Sequence, residues 1–147
     1  MRLFLDANVL VDVALKRVDE RGTPLWVAST LLLDEIYKGK HQGLTSVLSL
    51  YVVYVLVNPR DTKSGDTIAR DKLRGFKGFI EVVDLTDSLL EESLAEKRLR
   101  FEDALQFVTA RLADAEAIVT RNIRHFSKIK EEIRVLTPEE LITQINR

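Results

Sequence analysis

The chain has 147 residues, of which 46% are hydrophobic and 31% charged, and its formal net charge is −1. That is the size and make-up of one globular domain, expected over residues 1–147, and it excludes extended disorder and an overall basic footprint for nucleic acid. No cysteine is present, which rules out a disulfide framework, a thiolate metal site and a thiol nucleophile and fits a reducing, cytoplasmic compartment.

The chain opens "MRLFLDANVLVDVA", without a basic leader and long apolar stretch, so no secretory signal is expected. "RLFL" at 2–5 reads as a strand covered on both faces, and it runs directly into Asp6. A carboxylate there needs a partner, since burial of an unpaired one costs several kcal/mol. The simplest partner is the backbone: Asp6 precedes "ANVLVDVALK", whose apolar positions 9, 10, 13 and 14 have helical spacing, and Asp is among the best helix caps. A second helix is expected in "PLWVASTLLLDEIYKG" and a strand in "LTS" at 44–46. The apolar run 47–57, "VLSLYVVYVLV", is too short to span a membrane, which takes roughly 20 residues. It is read as a core helix, because a strand of that length is uncommon.

From Asn58 to Gly78 the composition gives a loop, "NPRDTKSGDT", and a short helix, "IARDKLRGF". Then come a strand "FIEVV" at 79–83, a helix "SLLEESLAEKRL" capped by Thr86 and Asp87, and a helix starting near Glu102 and Asp103 with an apolar stripe at 101, 104, 105, 108 and 112. Strands "AIVT" at 117–120 and "IRVL" at 133–136 follow, and "TPEELITQINR" closes the chain as a helix, with Thr137 as cap, Pro138 in the first turn and Glu140 completing a capping box. Alternating strands and helices predict an α/β fold: a three-layer α/β/α sandwich with a mainly parallel central sheet.

In such a sheet, ligands bind beyond the carboxyl ends of the strands. Asp6 follows the first strand and Asn122 the strand "AIVT"; if these strands are neighbours, both emerge at one edge, where the helix start at Asp103 joins them. Carboxylates held close repel, and a divalent ion relieves the repulsion. With oxygen ligands and no thiolates, the suitable ion is Mg²⁺ or Mn²⁺, and phosphodiester hydrolysis is the natural reaction class. His125 stands alone near this edge and His41 lies in a polar turn, so a zinc centre is not expected.

Three segments, "FLDANVLVD", "FEDALQFVTA" and "AIVTRNIRHF", together resemble the signature segments of PIN domains, the metal-dependent ribonuclease family that includes the VapC-type toxins of toxin–antitoxin pairs. The order and spacing match over nearly the whole chain. The resemblance implies a metal-dependent ribonuclease, with the toxin of a toxin–antitoxin pair as one form. It implies Asp6 and Asp103 as metal ligands and, with Asn122, as the catalytic set. Asn8 and Thr120 match supporting polar positions, and with Arg121 they form the candidate substrate-binding set; Arg124 is a second cation for phosphate. Asp12 also matches, as a structural or supporting acid. RNA, an antitoxin protein and a second copy of the chain are the implied partners.

One departure is serious. Where the family has a segment resembling "SALSLAEIYYVL", this chain has "SVLSLYVVYVLV", which puts Tyr51 and Val52 where the second acid, a Glu, should stand. Loss of that ligand weakens metal binding without forbidding it, because Mg²⁺ can rest on one or two carboxylates and several waters. Glu102 is the reserve acid, although on a helix it should point about 100° from Asp103; Asp34, Glu35 and Glu116 are poorer substitutes. The alternative reading is therefore a catalytically degenerate PIN-like domain that binds RNA or a protein. A receiver-like domain with an acidic phospho-acceptor is weaker still, since it needs a lysine at a late strand end and none stands there.

Overall fold

The structure is a computed structural model and describes residues 1–145. Five strands, β1 (Arg2–Leu5), β2 (Gln42–Ser46), β3 (Ile80–Val83), β4 (Ala117–Val119) and β5 (Arg134–Leu136), form one sheet in the order β3-β2-β1-β4-β5. Every neighbouring pair is parallel. Helices α1 (Ala7–Leu15), α2 (Leu25–Tyr37), α3 (Val47–Val57), α4 (Lys63–Lys77), α5 (Asp87–Ala95), α6 (Phe101–Leu112) and α7 (Pro138–Ile145) connect and cover the strands, with a 3-10 segment at Ile123–Ile129. The expected α/β/α sandwich is the one observed.

The unalternated apolar run of β1 has a simple cause, since both faces of its sheet are covered. Leu3 and Leu5 pack with Val9 and Leu10 of α1, Leu32 and Leu33 of α2 and Leu141 of α7 on one side. Phe4 points the other way, among Phe107 and Val108 of α6, Leu89 of α5 and Phe126 of the 3-10 segment. From β1 the chain builds outward through β2 and β3, then crosses back to lay β4 and β5 on the other side. The reversal opens a crevice between the carboxyl ends of β1 and β4, and residues 6 and 120–122 stand at it.

The run 47–57 is the helix expected, started by Ser46, whose hydroxyl accepts from the Ser49 N–H at 3.0 Å. The expected loop and short helix after Asn58 are corrected: α4 is 15 residues long and begins inside the polar "TKSGDT". Thr62 caps it by accepting from the Gly65 N–H at 3.0 Å, and the Asn58 amide bonds both the N–H and the C=O of Thr62 at 3.0 and 3.2 Å. The capping groups press so close that a Cβ on Gly65 would stand 2.2 Å from Asn58 Oδ1, which accounts for glycine in a helical first turn. The stripe expected on α6 is also corrected. Phe101 and Leu112 are exposed, while residues 104–110 are all buried, because this helix crosses the middle of its layer. Thr137 and Glu140 form the reciprocal capping box of α7, with bonds of 2.8 and 3.1 Å. The last two residues of that expected helix, Asn146 and Arg147, lie outside the described residues.

Candidate active site

Asp6 ends β1 and caps α1, accepting from the Ala7 N–H at 2.8 Å. The cap is only one of its bonds. Its Oδ1 also accepts from the Gln106 side chain of α6 at 3.1 Å, and its Oδ2 accepts from the Thr120 hydroxyl at 2.8 Å and the Asn8 amide at 3.3 Å. The carboxylate, 7% exposed, thus meets about as many donors as its lone pairs can take. These donors are themselves held. Asn8 Oδ1 accepts from the Arg121 N–H at 3.0 Å, which fixes the amide with its NH₂ toward Asp6, and Thr120 Oγ1 accepts from the Asn122 N–H at 3.0 Å. Gln106 Oε1 accepts from Ser46 Oγ at 2.7 Å, and its amide nitrogen also donates to Ser49 Oγ. Two helix starts, α1 and α3, are thereby tied to one residue of α6.

Gln106 was not legible as a site residue. A single Gln in an apolar helix reads as its solvent side, and only the burial of α6 on every side turns that amide inward.

Asp103 lies one turn before Gln106, in the first turn of α6. Its carboxylate, 14% exposed in the side chain, has His125 Nδ1 at 3.4 Å as its ion-pair partner. Burial raises its pKa above the ordinary carboxylate value; His125 pulls it down and Asp6 pushes it up again. Asp103 is therefore an acid for which burial and a second acid outweigh the nearby positive charge of His125 and Arg100.

Asp6, Asn8, Asp103, Asn122 and His125 line one cleft of about 270 Å³, with Arg17, Arg100 and Glu102 at its rim and Val11, Val52 and Leu56 as an apolar wall. Val52 stands in that wall, whereas Tyr51 is 63% exposed and does not line the cleft. Of the two positions where the resemblance expects a Glu, only Val52 faces the cleft. Glu102 is exposed and still reaches the rim. Asp34 and Glu35 of α2 pair with Lys38 and Lys40 just beyond its end, and Glu116 accepts from the Arg2 N–H, so none of the three belongs to this cleft. Among the described residues, no group of three or more His, Asp or Glu side chains is placed to hold a metal.

Thr120 is fully buried and acts on Asp6. Arg121 does not line the cleft. Its guanidinium donates to Asp12 Oδ2 at 2.7 Å, to the Leu25 C=O at 2.7 Å, to Ser29 Oγ at 3.2 Å and to Glu139. Arg124 and His125 line an adjoining groove that shares Asn122 with the cleft. Arg17, in the charged stretch after α1, went unnoticed in the sequence.

A hard divalent ion suits this donor set. Asp103 has its pKa raised by burial and by Asp6, Asp6 is held rigidly beside it, and the exposed Asn122 side chain, free of partners among the described residues, offers an amide oxygen.

The family model described as "PIN domain" matches residues 2–124. Among solved structures, the chain is similar to a toxin–antitoxin complex from Klebsiella pneumoniae, with a TM-score of 0.62 and 22% identity over 92% of this chain and 97% of that one. It is similar to VapBC-1 from nontypeable Haemophilus influenzae, with a TM-score of 0.66 and 9% identity over 95% and 99% of the two chains. It is also similar to VapC20 of Mycobacterium tuberculosis, a Sarcin-Ricin loop cleaving toxin, with a TM-score of 0.57 and 18% identity over 79% and 86%. No curated protein matches by sequence. Together the signature residues, the five-stranded parallel sheet and the match over most of its length place the chain in the PIN domain family.

Proposed function

We propose that this PIN domain is a divalent-metal-dependent ribonuclease and the toxin member of a toxin–antitoxin pair. The observation that carries the reading is the meeting of Asp6 and Asp103 in one cleft, with the pKa of Asp103 raised by burial and by Asp6. Asp6 and Asp103 would hold a Mg²⁺ or Mn²⁺ ion, which would supply water activation and charge neutralisation at a phosphate.

The protein's own groups do the positioning. Ala7, Gln106 and Thr120 fix the orientation of the Asp6 carboxylate, and the Asn8 bond, the longest of its four at 3.3 Å, is the one a metal ion would displace. Asn122 presents its amide from the end of β4, and Arg17 and Arg100 bring positive charge to the rim for a phosphodiester. RNA as substrate is supported by the likeness to VapC20. An antitoxin partner is supported by the likeness to the Klebsiella complex and to VapBC2 from Rickettsia felis, which was solved with a DNA fragment from its promoter. The exposed row Val47, Tyr51 and Val55 on α3 favours a protein partner, a second copy included.

Val52 favours a second reading, in which the domain has lost catalysis and binds RNA or protein. Purified protein incubated with a mixed RNA pool in Mg²⁺, Mn²⁺ or EDTA distinguishes the two. The ribonuclease reading predicts cleavage that needs metal and disappears in Asp103→Asn. Folded protein that cleaves in no metal overturns it in favour of the second.

A further inference from the structure

We propose that Arg17 grips a phosphate of the RNA strand at the rim of the acid cleft, and that the buried carboxylate of Asp12 holds it there; the inference rests on the ribonuclease reading. Asp12 is completely buried, so its charge requires a counter-charge. It has two. Arg121 Nε lies 2.7 Å from Oδ2 and Arg17 Nη2 lies 2.8 Å from Oδ1, with the Ser29 hydroxyl donating to Oδ2 at 2.8 Å.

Arg121 is the inward one: its side chain is 14% exposed, its three nitrogens all donate to protein oxygens, and its charge is shared between Asp12 and Glu139. Arg17 is the outward one, with an edge left open. It directs Nε, at 3.0 Å, and Nη2 to the same oxygen, while Nη1 has no partner among the described residues. The side chain is 36% exposed and borders both the acid cleft and the neighbouring groove that holds Arg21 and Asn122.

The backbone is built to keep Arg17 in place. Lys16 ends α1 in the left-handed region, at φ 49°, which is unfavourable for a side chain of this kind and turns the chain back on the helix. The Arg17 N–H then donates to the Asp12 C=O at 3.0 Å, and its C=O accepts from the Trp26 N–H at 3.2 Å. A guanidinium fixed in this way loses little freedom on binding, and its open edge suits the paired oxygens of a phosphodiester.

The test is anisotropy titration of a fluorescent, uncleavable 2′-O-methyl RNA of mixed sequence in EDTA, at several salt concentrations, with thermal melts on every variant. Arg17→Gln is the informative change, because its amide can still donate to Asp12 and Arg121 still pairs with that acid. Affinity should fall about tenfold, and the slope of log affinity against log salt should fall by about one, with Arg17→Lys restoring the slope. Arg134→Ala, on β5 where the arginine donates to Gln144 of α7, should change neither. In the wild-type protein, the same RNA should shield Arg17 from phenylglyoxal while Arg134 continues to react, a readout that survives if a variant fails to fold. Wild-type binding with an unchanged slope in Arg17→Gln, or no shielding of Arg17, overturns the assignment and leaves the ribonuclease reading standing. No binding of RNA by the wild type in EDTA also overturns the assignment, while the metal-dependent cleavage assay judges the ribonuclease reading by itself.

Discussion

Asp6, at the end of β1, accepts four hydrogen bonds from groups that are themselves anchored, whereas Asp103, in the first turn of α6, faces the same cleft with only the half-exposed His125 as ion-pair partner. The difference follows from what surrounds each acid. Strand β1 is central, so Asp6 emerges among the starts of α1 and α3 and the end of β4, where unpaired N–H and O–H groups collect. Asp103 leans over the crevice from a single helix. The first acid is a structural centre as well as a candidate ligand, and the second is held mainly for what it faces.

The largest effect should come from Asp6→Ala. It strands the Ala7 N–H and the side chains of Asn8, Gln106 and Thr120, and at about 1–3 kcal/mol for each buried orphan, with partial repair, the loss in urea unfolding should reach roughly 3–5 kcal/mol. Asp103→Asn should instead leave folding intact while cutting metal-dependent cleavage at least about a hundredfold, of the order seen when a charge-stabilising group is removed from an active site. If both acids cost the same stability, the contrast between them fails. Gln106→Leu tests the support directly: it breaks the bridge between Asp6, Ser46 and Ser49 and should cost about 1–3 kcal/mol. Val52→Glu puts a third carboxylate into the wall of the cleft and should tighten Mn²⁺ binding by about tenfold in calorimetry, as an added anionic ligand does.

The smallest effect separates the acids by pH. Asp103 has its pKa raised above the ordinary value of 3.8 by burial and by Asp6, against the pull of His125. A raised acid favours the folded state below its unfolded pKa and withdraws that contribution as pH rises through the folded one. Comparison with Asp103→Asn isolates this one group, since other acids such as Glu96 and Asp66 are lowered and act in the opposite sense. Relative to the variant, wild-type protein should lose a little stability as pH rises above about 3.8, so that the variant gains in melting temperature over the wild type between acid and neutrality.

Much of this arrangement was legible in the chain. "RLFLD" showed a doubly covered strand meeting an acid, and "FEDALQFVTA" put a second acid at a helix start. Strand pairing then decided whether they meet, and the parallel neighbours β1 and β4 brought the ends together. What escaped depends on tertiary surroundings. Gln106 looked like a surface residue because nothing local says that α6 is enclosed. The "TRN" arginine, Arg121, turned inward to Asp12, and Arg17, in an unremarkable charged stretch for which nothing was expected, lines the cleft instead. Helix α4 was hidden by polar composition and a glycine, both explained by the Asn58 and Thr62 cap.

On the ribonuclease reading, Asp6 and Asp103 together hold a divalent cation although Val52, not a third acid, stands in the wall of the cleft. Manganese binding followed by electron paramagnetic resonance, in wild type and Asp103→Asn, tests it without relying on any substrate. One weakly bound Mn²⁺ is expected in the wild type, displaced by excess Mg²⁺ and absent from folded Asp103→Asn. Equal binding by the two proteins, or none by either, would contradict it.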